Sequence, residues 1–142
     1  MISLLARRWQ SQRAMTTILV VDDEPPIVDL VRFTLEDADV RVVEAADGAE
    51  ALVVARQTIP DLVLLDVHMP RLDGFEVCRQ LRREPSLARI PIVMLTAAGQ
   101  ESDRARGRAA GADEYLTKPF SPLALLALVE ALVPDTRSWR PM

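Results

Sequence analysis

The sequence predicts a doubly wound α/β fold built on a parallel sheet, and three observations carry that expectation. From Thr17 onward, five short apolar runs alternate with five segments of helical periodicity. The runs are apolar through their length instead of alternating with polar residues, so both faces of the sheet need covering. Acids, a hydroxyl and an amine stand at or just after the ends of four of the runs, and in such sheets that edge is where ligands bind.

The elements follow in order. "TILVVDD" is a β-branched run ending in acids, and "PPIVDLVRFTLEDA" places Ile27, Leu30, Val31 and Leu35 at helical spacing with proline in the first turn. "VRVVEA" is the second strand, followed by a helix from Gly48 to about Gln57. "DLVLLD" is the third strand, and "GFEVCRQLRRE" a helix with Phe75, Val77, Cys78 and Leu81 turned inward. "IPIVMLT" is the fourth strand, and "QESDRARGRAAG" a polar helix stopped by Gly111. That helix has little apolar grip, and Gly107 inside it costs about 1 kcal/mol relative to alanine, which reads as a mobile element. "ADEYLT" is a short fifth strand. The last helix, "SPLALLALVEALV", carries a core stripe of Leu125, Val129 and Leu132. Its other side is Leu123, Ala124, Ala127, Glu130 and Ala131, an outward face apolar enough to suggest a dimer or partner surface.

Length and composition bound the rest. The 142 residues make one domain, 49% apolar and 27% charged, the balance of an ordinary globular chain. A formal charge of −4 leaves no basic excess for phosphate backbones, so direct nucleic-acid binding is not expected. The single cysteine, Cys78, excludes an internal disulfide and a cysteine-ligated zinc, fits a reducing cytosol, and reads as buried filling. No apolar stretch reaches the roughly 20 residues a membrane span requires.

The boundaries read as a basic extension over 1–15, the domain over 16–133 and a tail over 134–142. "MISLLARRWQSQRA" carries three arginines and no acid, with the arginines after the apolar residues, a poor targeting signal. Met15, directly before the first strand, reads as the true start; a basic amphipathic surface helix is the other reading. Both tryptophans, Trp9 and Trp139, lie in these flanks.

The strand ends collect the chemistry. The first delivers Asp22, Asp23 and Glu24, the third Asp66 and the fourth Thr96, while Lys118 follows the fifth. Clustered carboxylates repel unless a cation intervenes, and an all-oxygen acidic nest suits magnesium. A dication, a lysine and a hydroxyl around one carboxylate suit phosphoryl transfer, with Asp66 as the nucleophile. The bland alternative is that strand-end acids only cap the following helices.

"ILVVDDEPPIVDLV", "PDLVLLDVHMPRLDGFEVCRQLR", "IPIVMLTA" and "GADEYLTKPFSP" together resemble the receiver domain of bacterial two-component response regulators, from about Thr17 to Val133. The resemblance implies the flavodoxin/CheY-like sheet with strand order 2-1-3-4-5. It implies that Asp66 accepts a phosphoryl group from a sensor histidine kinase or a histidine phosphotransfer protein. Asp22, Asp23 and Asp66, with the main-chain carbonyl of His68, would hold Mg2+. Lys118 would pair with the phosphoryl oxygens beside a cis Lys118–Pro119 bond, and Thr96 and Tyr115 would form the switch pair. The output would be a downstream protein bound at the face of helix four, strand five and helix five, with a homodimer through the same face. A stand-alone, cytoplasmic receiver that catalyses only its own phosphorylation and dephosphorylation is the expectation. His68 occupies a position that is variable in the family and overlooks the phosphoryl group, where it influences the rate of hydrolysis. Two other classes compete. A haloacid-dehalogenase-like phosphohydrolase would want a second acid where His68 stands, and a non-phosphorylated adaptor would not need the intact acceptor set.

Overall fold

The computed structural model describes residues 15–97 and 101–133. The strands are β1 (Thr16–Val21), β2 (Val40–Ala45), β3 (Leu62–Asp66), β4 (Ile92–Ala97) and β5 (Glu114–Lys118). The helices are α1 (Pro25–Leu35), α2 (Gly48–Thr58), α3 (Gly74–Arg83), α4 (Glu101–Ala110) and α5 (Pro122–Leu132). All pairings are parallel, in the order β2-β1-β3-β4-β5, as the resemblance implied. β1 and β3 leave in opposite directions from the centre, so the loops after them meet at the point where strand order reverses.

Strand side chains alternate between two apolar layers. Leu19, Val21, Val63, Leu65, Ile92 and Met94 pack under α2, α3 and α4. Ile18, Val20, Leu62, Leu64, Val93 and Leu95 pack under α1 and α5. The edge strand β2 is less completely buried, with Arg41 and Glu44 exposed, because one side of it has no neighbour.

Local signals start and stop the helices where polar caps and prolines stand. Asp47, Asp73 and Ser121 accept the N–H of Glu50, Glu76 and Ala124 as N-caps, satisfying donors that the first helical turn leaves free. α1 begins on Pro25-Pro26 without a side-chain cap. Two details depart from the periodicity. The inward stripe of α1 is Val28, Val31 and Leu35, with Ile27 and Leu30 as half-buried flanks, because α1 packs on α5 as well as on the sheet. α2 runs to Thr58 and stops at Ile59, which lies in the left-handed region (φ 44°), as Pro60 disfavours helical geometry in the residue before it. In α3, Phe75, Val77, Cys78 and Leu81 are buried as expected. On α5, Leu125 and Val129 are buried and Leu132 is half-buried, while Leu123, Ala124, Ala127, Glu130 and Ala131 face outward. The expectations on residues 1–14 and on the tail fall outside the described residues.

Candidate functional site

The carboxyl edge of the sheet gathers the side chains that the sequence singled out. Asp66 ends β3 at 5% exposure, and Asp22 follows β1 at 2%. Thr96 on β4 is buried, while Asp23 and Glu24 stand exposed beside them. Gly74 makes this geometry reachable: a Cβ there would lie 2.3 Å from the Asp66 carbonyl oxygen, and its N–H donates to the Val67 carbonyl (3.1 Å). Only glycine lets α3 start this close behind the acid.

Lys118, at the end of β5 before a cis Pro119, is the cation of the site. Its Nζ lies 2.7 Å from Asp22 Oδ2, 3.1 Å from Glu24 Oε2 and 3.5 Å from Asp66 Oδ2. Burial acts to lower its pKa, but contacts with Asp22, Glu24 and Asp66 outweigh it and hold the ammonium above its usual value. Asp66 moves the other way from an ordinary carboxyl: burial first, then the neighbouring Asp22 charge, push it up to about 6 against the pull of Lys118 and the His68 N–H. One lysine shared among three acids does not neutralise them.

The donor set fits a hard divalent cation. Ligand oxygens of Asp22, Asp23, Glu24 and Asp66 all lie within 4.8 Å of one another. Asp22 Oδ2 is buried and, beyond the ammonium, has no hydrogen-bond partner, while Oδ1 is occupied by the Glu24 N–H (2.9 Å). A buried carboxylate oxygen left in that state is suited to a metal ion.

The expected switch pair lies on adjacent strands. Met94 pairs with Tyr115 and Thr96 with Thr117, so Thr96 and Tyr115 project toward the same face, that of α4. The Tyr115 ring rests against Gly107, where a Cβ would come within 3.0 Å of it, and its hydroxyl donates to the Arg104 carbonyl. Gly107 therefore differs from the expectation: it is buried beneath a ring that needs its missing side chain. The grip of α4 also differs. Arg104 and Arg108 flank the Tyr115 ring at 5.7 and 5.6 Å, and Arg106 stacks on Phe75 at 4.1 Å, so guanidinium planes replace aliphatic packing.

His68 does more than periodicity indicated. Its main-chain N–H donates to Asp66 Oδ1 (3.2 Å), and its ring Nε2 meets Asp103 Oδ2 at 2.8 Å. Asp103 escaped the sequence reading. The available signal was its spacing from Gly107 and Ala110, four and three residues on, which puts it on the inward side of α4. Cys78 is inert as expected: its thiol contacts the Ala110 carbonyl, and burial pushes it up to about 11.

A doubly wound sheet with an acidic cluster and a lysine at its carboxyl edge defines a receiver-type signalling module, not a conventional enzyme. The chain belongs to the response regulator receiver domain family, whose model matches residues 18–130. It is 48% identical over 122 residues to the DNA-binding dual master transcriptional regulator RpaA of Synechocystis, covering 86% of this chain and 51% of that one. It is 50% identical over 116 residues to the alkaline phosphatase synthesis transcriptional regulatory protein PhoP of Bacillus subtilis, covering 82% of this chain and 48% of that one. The chain thus spans about half the length of the curated relatives it matches. Among solved structures, chemotaxis protein CheY4 of Vibrio cholerae superposes with a TM-score of 0.79 at 38% identity, covering 84% of this chain and 100% of that one. The receiver domain of a sensor histidine kinase from Pseudomonas aeruginosa superposes at 0.77 and 32% identity, covering 85% and 99%. That structure has a magnesium ion coordinated in its active-site cleft.

These relatives correct the expected partner set. Nucleic acid was excluded on a charge of −4, yet RpaA is named as DNA-binding and PhoP as a transcriptional regulator. The reason is physical: the charge of a receiver segment reports only its own surface, and the matched half of a longer regulator need not carry the basic face that neutralises phosphates. No helix among the described residues is long and apolar enough to cross a membrane.

Proposed function

We propose that this receiver accepts a phosphoryl group on Asp66 and converts it into a changed surface at α4, β5 and α5. The observation that carries the proposal is the arrangement at Asp66: a buried carboxylate 3.5 Å from Lys118 Nζ, inside a nest of acids that one lysine cannot neutralise. The donor would be a phosphohistidine on a sensor kinase. A carboxylate oxygen of Asp66 bonds to phosphorus as the phosphorus–nitrogen bond breaks, and that bond's electron pair returns to the donor imidazole. Asp22, Asp23 and Asp66, with the His68 carbonyl, would hold magnesium, which when bound supplies positive charge toward the phosphoryl oxygens. Lys118 gives a second cation to those oxygens, and the Thr96 hydroxyl a hydrogen bond that draws β4 toward the site. Tyr115 then keeps its ring inward against Gly107, so the α4–β5 surface takes one form.

The names of the relatives support a transcriptional output. That output is exerted either by segments continuous with the receiver or, for a stand-alone domain, through a bound protein. Incubation with acetyl phosphate and magnesium tests the central claim. We expect one acid-stable, hydroxylamine-labile phosphoryl group, absent from Asp66→Asn. No labelling, or labelling that survives that substitution, defeats the assignment.

A further inference from the structure

The loop after β3 is held from two sides, and only one of them belongs to the acidic nest. His68 reaches Asp66 through its main-chain N–H at 3.2 Å, and its imidazole reaches the first turn of α4, where Nε2 lies 2.8 Å from Asp103 Oδ2. The two ends of this contact differ. The His68 side chain is 61% exposed, whereas the Asp103 side chain is 4% exposed, so the helix holds a buried acid and the loop lends it a surface ring. A carboxylate oxygen accepts, so the ring nitrogen facing it is the donor. Among the described residues, that ring is the only side-chain partner of Asp103. An acid sunk in a helix packed by glycine, alanine and stacked arginines has a cost that helix propensity does not offset. Its position in the first turn, near the helix N-terminus, eases that cost, and the imidazole completes it.

We propose that Asp103 is a positioning residue for the reaction at Asp66. By clamping the His68 ring it fixes the β3–α3 loop whose N–H orients the acceptor carboxylate, so the placement of α4 and chemistry at Asp66 influence each other. The inference rests on the reading of Asp66 as phosphoacceptor. The clamp is geometric: it needs a donor on the ring and an acceptor on the helix. By linkage the effect runs in both directions, from α4 to the acceptor and from the loop to α4.

The test is a double-mutant cycle on the whole chain, reading the rate of phosphorylation by acetyl phosphate and the amide hydrogen exchange of residues 101–110. Asp103→Ala and His68→Ala should each slow phosphorylation by about fivefold, and the double variant should be no slower than either single one. Asp103→Asn keeps an acceptor oxygen and should remain within about twofold of wild type, and it serves if the alanine variant fails to fold. His68→Ala, a loop substitution, should speed exchange across α4, and the Nε2–H resonance of His68 should be lost in Asp103→Ala. Multiplicative rates in the double variant, or unchanged α4 exchange in His68→Ala, would falsify the clamp. Absence of labelling in the wild-type chain would instead defeat the phosphoacceptor reading.

Discussion

The two edges of the sheet use the same residue type in opposite ways. At the amino edge, Asp61 Oδ2 accepts the Thr17 N–H (2.8 Å) and Asp113 Oδ2 accepts the Ile92 N–H (2.8 Å). Arg82 completes that end: its guanidinium donates to the carbonyls of Gly111 (2.9 Å), Ala88 (3.1 Å) and Ile90 (2.6 Å) and to Asp113 (2.8 Å). Asp61, Asp113 and Arg82 each have backbone groups or an opposite charge around them. At the carboxyl edge, Asp22 and Asp66 lie together, share one lysine, and leave Asp22 Oδ2 buried with no partner but that lysine. The amino edge is tied together by these bonds; the carboxyl edge keeps an excess of negative charge that one lysine does not neutralise. Acids at strand ends are structural or functional according to whether the backbone has donors to give them.

That contrast can be broken by substitution, beginning at the amino edge. Arg82→Ala strands three carbonyls and leaves Asp113 with the Ile92 N–H alone, and we expect a loss of about 3 kcal/mol in urea-induced unfolding, with acetyl phosphate labelling of the folded protein retained. A loss below about 1 kcal/mol would show that the amino edge is not the anchor.

The opposite sign is expected at Asp66. Its carboxyl is pushed up to about 6 in the folded chain from an ordinary value of 3.8, by burial and then by Asp22. The native state therefore holds that proton more tightly than the unfolded chain does. The associated stability is complete below about pH 4 and is lost as pH rises through 6. In magnesium-free buffer, Asp66→Asn should stabilise the chain by about 1–2 kcal/mol at pH 7.5, with the gain fading toward pH 4. A variant no more stable than wild type at pH 7.5 would mean that Lys118 offsets the repulsion fully. Magnesium should raise the melting temperature of wild type and leave Asp22→Asn much less affected, since ligand binding to the folded state alone adds stability.

Smaller effects separate packing from propensity on α4. Gly107→Ala gains helix propensity but drives a methyl to 3.0 Å from the Tyr115 ring, so we expect a net stability change under about 1 kcal/mol. The displacement of the ring should register in the Tyr115 aromatic resonances. Leu123→Ser, on the outward side of α5, should change unfolding by less than about 0.5 kcal/mol.

Much of this was legible beforehand because it depends on local pattern. Uninterrupted apolar runs required a sheet covered on both sides, proline in the first turn marked the start of the first helix, and Asp66 at the end of an apolar run marked the edge. The exposed side of α5 followed from a spacing of three and four. Asp103 was missed because α4 lacks an apolar stripe to set its phase, and a buried acid is indistinguishable in sequence from a solvated one. Gly107 was read as loosening the helix because its partner, Tyr115, approaches from another strand. The role of Arg82 was equally hidden, since three of its four acceptors are backbone carbonyls, which every residue type carries.

By itself, then, the sequence determined the fold class, the alternation of elements and the identity of the acids at the strand ends. Periodicity and strand polarity are properties of the chain read one segment at a time. Only the tertiary structure decided which acids are satisfied and which are left waiting, where Lys118 divides its charge, and that His68 reaches across to Asp103. Those depend on distances between segments far apart in the chain, and electrostatics and hydrogen bonding act through such distances alone.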